Sequence, residues 1–470
     1  MFTRSLLVGA ALWGCNGAPE DSSPDEPDDS AAAGDCPIRD DLFTDIEAAP
    51  ATIPLAQRVA WDSVLASEAK VRFTDGEVTL ESPTCPAGSH QEAVLAGLGS
   101  EVEVTWQIRA RDGDGWVCSA PRSYRAGSLD SDFPSLSVTL AGEGDHRPLC
   151  LVPLLTLETS FLVLFDRRGA VLWAARIHSN ERRGIPDAVG SAFLTSEQAQ
   201  DPSTGAQLSW ITWEGRRSDA AVAMGGHTDV ALLPDGSMAT LGWDLRELDD
   251  DGQVRRILGD TLLEIGLDGQ VREVWNVFDD FQPDLDQEYP TGWLPGDPTA
   301  EDWSHMNGLS YSPEDETYYV SISGIGLVAA VERSSGSLLW SLGSQGASVP
   351  AEPGLIASPH SIERLPDRDF LVFNRDTGAC SHVDRFAVDP DAGTVEPLWR
   401  YTSPDCLRVD YLGDARLTSA GDVLVSWSSA GRLEEVDAAG DVRLAINAPL
   451  GWTFGFVEDL DAWPGFIQVP

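Results

Sequence analysis

No helical hydrophobic period of any length runs through these 470 residues, so few helices are expected. No Cys-x-x-Cys pair occurs, which removes support for a thiolate zinc site. Basic residues are scarce: 31 Lys and Arg stand against 76 Asp and Glu, a formal net charge of −45. A chain so acidic repels phosphate backbones and anionic lipid surfaces, which excludes nucleic acid as a partner. The acid excess fits a solvated surface that keeps an extracellular or salt-exposed protein soluble. What is present points to a folded, β-rich chain: 42% of residues are hydrophobic, with 16 Trp, and 44 Gly suit many tight turns. The length exceeds what one ordinary core supports, so two domains or one large repeat architecture are expected.

The N-terminus reads as an export signal. Met1 to Arg4 precede an apolar run from Leu6 to Trp13 and then Gly14-Cys15, the order of a short secretory leader that is too brief to span a bilayer. Leu12-Trp13-Gly14-Cys15 resembles a bacterial lipoprotein box, with Cys15 as the lipidated residue and membrane contact only through that anchor. The expected location is the periplasmic face of a membrane or the cell surface. In an oxidising compartment the other cysteines are disulfide candidates. Nearness in sequence favours Cys85 with Cys118 and Cys380 with Cys406, leaving Cys36 for Cys150.

Four segments are expected. Residues 1–15 form the signal. Residues 16–45, rich in Pro, Ser, Asp and Glu, form a disordered acidic linker that cannot bury enough surface to offset chain entropy. Residues 46–135 carry short alternating runs such as Glu101 to Ala110, separated by Gly, Asp and Pro, the pattern of a small β-sandwich. Residues 136–470 follow a different rhythm. Segments beginning at Gly226, Ser304, Pro359 and Leu412 each read as a strand, a turn of Pro, Asp or Gly, and a second apolar strand. Further hairpins at Leu263, Ala329, Phe386 and Leu433 complete each unit, and Phe161 to Trp173 repeats the last hairpin once more. Four strands recurring about every 50 residues match propeller blades. With the less regular stretch around Ala192 to Glu214 the count comes to six, so the fold class is all-β, a six-bladed β-propeller preceded by a small β-sandwich.

Three of the seven histidines, His227, His305 and His360, fall at the start of the first strand of successive repeats. In a propeller that strand lines the central channel, so the three imidazoles converge. Gly413 takes that place in the fourth repeat. Three imidazoles could ligate zinc or copper, or act as nucleophile and proton carriers near neutral pH. Asp112-Gly-Asp-Gly115 and Asp249-Asp-Asp-Gly252 lack the later acidic ligand of a calcium loop and read as plain turns. His90, His146, His178 and His382 have no repeat register and read as surface or loop residues.

The residues flanking the histidines narrow the chemistry. Asp302-Trp303-Ser304-His305-Met306-Asn307 followed by Leu338 to Gly343, and Ser358-Pro-His360 followed by Leu365 to Phe373, resemble the bacterial arylsulfate sulfotransferase family. The resemblance is good over about Gly225 to Asp376 and loose over the rest of the propeller. It implies transfer of a sulfuryl group from a small aromatic sulfate donor to a phenolic acceptor, with no nucleotide donor, cofactor or metal. It makes His360 the nucleophile that forms a sulfohistidine, with His305, Asn307 and His227 holding sulfuryl oxygens and managing the phenolic proton. Trp303 would wall the aromatic pocket. One departure stands out: where the family carries an arginine on the following strand, this sequence has Ser323. Arg375 and Arg217 are the candidates to replace it, with Arg375 assigned to substrate binding. The alternative is a non-catalytic binding propeller that has lost its sulfuryl clamp.

Overall fold

The structure, a computed structural model, describes residues 36–469 except 143, 200–202, 295, 345, 376, 377 and 379. The expected signal, its lipidation at Cys15 and most of the acidic linker lie outside the described residues. The chain is all-β and divides into two compact units.

The first unit comprises Met1–Leu129, Val189–Ser191 and Ala462–Pro470. One sheet pairs Phe43–Pro50, Gln57–Ser63 and His90–Leu95. The second is built on Ala69–Thr74 and Glu103–Asp112, where Val104, Trp106, Ile108 and Ala110 alternate inward as a half-buried strand requires. Where a continuous 136–470 unit was expected, the last residues belong to this first unit. Ile467–Val469 pairs with Thr79–Glu81, Phe466 packs edge-on against Phe73 at 5.6 Å, and Trp463 Nε1 donates to the Gly97 carbonyl at 2.8 Å.

The cysteine pairing by nearness is corrected at Cys118. Pro37 to Arg39 runs beside Gly115–Cys118, with Arg39 N–H donating to the Cys118 carbonyl at 2.8 Å and Cys118 N–H to Pro37 at 2.9 Å. That places Cys36 opposite Cys118, Cα to Cα 5.6 Å, and the two are bonded. Cys150 is unbonded and fully buried within Pro148–Leu155, between strands on both sides. Cys380 and Cys406 are joined as expected.

The second unit comprises Asp130–Ala188 and Ala192–Asp461. Its strands form six antiparallel meanders, whose first strands are Pro148–Leu155, Glu181–Pro186, Gly226–Leu232, Met306–Ser312, Pro359–Arg364 and Asp414–Leu417. Each first strand touches the next in this order, and Glu458–Asp459 touches both the last and the first. Pro148–Leu155 is buried at every position, which is why these segments read as continuous apolar runs. The two acidic turns that resembled calcium loops are hairpin tips, joining Glu103–Asp112 to Gly115–Cys118 and Met238–Asp250 to Gln253–Ile265.

Three first strands carry a register shift where the expected site residues lie. In Met306–Ser312 the ladder skips Asn307, and in Pro359–Arg364 it skips His360. In Gly226–Leu232 it breaks immediately after His227. A bulge leaves one residue unpaired and re-aims its side chain. The backbone beside these bulges is left-handed at non-glycine residues: φ is 58° at Thr228, 51° at His305 and 55° at Ser358. Such conformations cost on the order of 1–3 kcal/mol each and persist only where the surrounding structure enforces them.

Candidate active site

The bulges correct one feature of the repeat reading. His360 shares its backbone position with Asn307, and His305 shares its own with Ser358, two residues earlier. The histidines therefore come from different places in their repeats, yet His227, His305, Asn307, His360 and Arg375 all line one cavity of about 250 Å³.

His360 is 2% exposed, and its Nδ1 lies 3.0 Å from the Gly413 carbonyl oxygen. A carbonyl only accepts, so Nδ1 carries the proton and Nε2 keeps its lone pair. Burial, and then the charges of Arg375, His305 and Arg182, push the imidazole well below the usual histidine range. Gly413 is required here: its φ is 110°, and a Cβ would stand 2.2 Å from the Phe373 ring. The fourth repeat thus supplies a carbonyl in place of a histidine.

His305 holds its Nδ1 against the Asp302 carboxylate, which orients the ring and leaves Nε2 toward the cavity. Asp260, on Gln253–Ile265, fixes the same turn by accepting from the Ser304 hydroxyl and from Met306 N–H at 2.9 Å. Its other oxygen lies 2.8 Å from His227 Nε2, while His227 Nδ1 meets the Thr228 hydroxyl at 2.9 Å. Nδ1 of His227 is thereby hydrogen-bonded, whereas Nε2 faces the Asp260 carboxylate without hydrogen-bond geometry, and the ring stacks on Trp243 at 5.0 Å. His227 is held as a wall and carboxylate partner, unlike His360, whose Nε2 is free.

Ser323 is a junction. Its hydroxyl accepts from Asn307 Nδ2 at 2.8 Å and from Arg375 Nη2 at 3.1 Å, and donates to the His305 carbonyl at 3.2 Å. Arg375 therefore reaches from the neighbouring sheet to the place where an arginine was missing. Its other contacts are the Ser358 hydroxyl and the Asp410 carbonyl. Among the described residues it has no carboxylate partner, and burial lowers the affinity of its guanidinium for the proton. Arg217 does not substitute: it is paired with Glu181.

Trp303 is corrected. It is 2% exposed and packs in the core against Phe278 at 4.8 Å. The aromatic walls are Trp243 and Trp293, the latter half exposed and edge-on to His305 at 4.8 Å. His382 is also corrected, being buried against Asp384 at 3.1 Å. His90 and His178 are exposed and held by Asp62 and Glu197. Among the described residues no cluster of metal-ligating side chains forms. Sequence reading missed Asp260, Trp293 and Arg182 as cavity residues. Asp302 stood in the motif without a role, although an acid three residues before a histidine was a usable signal.

Residues 144–350 match the arylsulfotransferase (ASST) family. Over this stretch the chain is arylsulfotransferase-like. The arylsulfotransferase-like stretch holds His227, His305, Asn307 and Ser323, while His360 and Arg375 lie beyond its end. No curated protein matches the chain significantly. Similar solved structures include a protein of unknown function from Bacteroides caccae, at 16% identity, TM-score 0.41, covering 66% of this chain and 99% of that one. Another is the β-propeller domain of Cps50 (Swd1) from Myceliophteria thermophila, at 12% identity, TM-score 0.38, covering 71% and 98%.

The depressed affinity of His360 for protons has a kinetic consequence. If this imidazole is the reacting group, the acid limb of kcat/KM is expected below the ordinary histidine range, with turnover persisting in mildly acidic buffer. The unfolded chain takes up the proton first, so the stability contributed by burying the neutral ring is lost as pH falls below that ordinary range. A pH–rate profile beside a pH series of melting curves checks both signs.

Proposed function

We propose that the chain transfers a sulfuryl group from a phenolic sulfate ester to a second phenol through a sulfohistidine on His360. The single observation that carries this reading is the His360 imidazole, neutral by burial, with Nδ1–H held by Gly413 and Nε2 free in a cavity beside Arg375, which has no carboxylate partner among the described residues. Nε2 attacks sulfur, the S–O bond to the ring breaks, and the phenolate takes a proton from His305 Nε2. In the second half the acceptor phenol returns a proton to His305, its oxygen attacks sulfur, and the N–S bond breaks. Asn307 and Arg375 hold the sulfuryl oxygens as charge develops.

The scaffold belongs to the same proposal: a six-bladed β-propeller, supported by the six meanders whose first strands touch in sequence, preceded by a sandwich. Export is proposed as well. The disulfides Cys36–Cys118 and Cys380–Cys406, seen among the described residues, suit an oxidising compartment.

The test is pre-steady-state. With a chromogenic aryl sulfate and no acceptor, a burst of about one phenol per chain is expected, and added phenol should restore turnover with ping-pong kinetics. No phenol release across a panel of aryl sulfates would favour the binding-propeller reading instead.

A further inference from the structure

We propose that Arg182 reads a second anionic group on the substrate, so that the site takes phenolic rings bearing an acid substituent. This rests on the sulfuryl-transfer reading, and it names the substrate class of that same cavity.

Arg182 and Arg183 are neighbours on Glu181–Pro186, inside the register shift between Glu181 and Gly184, and their side chains meet different surroundings. Arg183 grips Asp229 at 2.7 Å and Glu458 at 3.0 Å, with Asp414 at 3.5 Å. Arg182 turns to the cavity and has no carboxylate partner among the described residues. Its strand is fixed in place, since the Arg182 carbonyl accepts from Phe456 N–H at 2.8 Å and a Cβ on Gly455 would stand 2.4 Å from that oxygen. The backbone that carries Arg182 is therefore held, in a protein with a large excess of acids, and among the described residues none of them pairs with its guanidinium.

The charge balance of the cavity makes that absence informative. A sulfate monoester carries one negative charge, and Arg375 stands beside Asn307 at Ser323 to meet it. Asp260 and Asp302 are each already committed to a histidine. Arg182 is left over, and a half-buried cation without a counter-charge is costly unless a ligand completes it. Carboxylate, sulfonate and phosphate share the planar or trigonal oxygens that a guanidinium binds in two-point fashion. Trp293, 54% exposed, offers a ring face that a phenol can cover. Its loop is pinned by Arg255 to Glu301 at 2.9 Å and by Arg256 to Asp297 at 2.6 Å.

The experiment uses the full chain, a common chromogenic sulfate donor, and two acceptors of matched shape, 4-hydroxybenzoate and neutral 4-hydroxybenzamide. Wild type is expected to prefer the acid. In R182Q the ratio of kcat/KM for acid over amide should fall about tenfold, the scale of a lost charge-assisted hydrogen bond, and R182K should recover part of it. An unchanged ratio in R182Q, or a wild-type preference for the amide, would overturn the proposal. Should no transfer occur with either acceptor, the sulfuryl-transfer reading fails by itself. Tryptophan-fluorescence titration with the same two compounds then decides: tighter binding of the acid that R182Q removes upholds the role of Arg182, and equal binding overturns it. Melting curves of both variants show that each is folded.

Discussion

His360→Ala is expected to lower kcat for aryl sulfate turnover by about 10⁴-fold or more, the scale on which loss of a covalent nucleophile is felt. The effect should be this large because no other imidazole can take over. His227 has Nδ1 bonded to Thr228 and turns Nε2 to the Asp260 carboxylate at 2.8 Å, and His305 has Nδ1 held by Asp302 with its remaining nitrogen needed for the proton. The substitution leaves the Gly413 carbonyl without its donor, a cost of about 1–3 kcal/mol unless water replaces the ring. Steady-state rates accompanied by a melting curve separate lost chemistry from lost structure. Activity within tenfold of wild type in a folded variant would remove His360 from the reaction.

Arg375→Ala is expected to lower kcat/KM by about 10²–10³-fold, as when one preorganised donor to a developing negative charge is removed. A second signature separates this role from simple scaffolding. Arg375 is among the charges that hold the His360 imidazole below its usual range, so the acid limb of the pH profile should move upward in the variant. Adding Ser323→Arg in the same chain should recover part of the rate, because Ser323 Oγ already lies 3.1 Å from the Arg375 guanidinium. An unshifted profile and no recovery would assign the oxyanion role elsewhere.

Much of this was legible in the sequence because the repeat imposes a rhythm. Turns of Asp, Pro and Gly between apolar strands marked the later meanders, and the histidines near their starts do meet in one cavity. What was not legible is what the rhythm does not encode. A bulge adds one residue to a strand without altering its composition, so His305 and His360 looked equivalent although His360 shares its position with Asn307. Trp303 was judged by its nearness to His305, but their directions diverge at the left-handed turn, and Trp293, ten residues earlier in an irregular loop, forms the wall instead. Asp260 contacts the turn before Asn307 from a strand more than 40 residues away, and nothing local announces it. Pairing cysteines by nearness failed at Cys118 because the chain before Phe43 lies alongside that strand. The missing arginine left Arg375 and Arg217 as candidates, and what the sequence could not show is that Arg217 is paired with Glu181 while Arg375 lies beside Ser323.

The most direct test is mass analysis of protein quenched after mixing with an aryl sulfate in the absence of acceptor. A covalent intermediate predicts one sulfuryl group added per chain, located on the peptide containing His360, and discharged when a phenol is supplied before quenching. Sustained turnover with no adduct at any quench time, or an adduct on another residue, would contradict it.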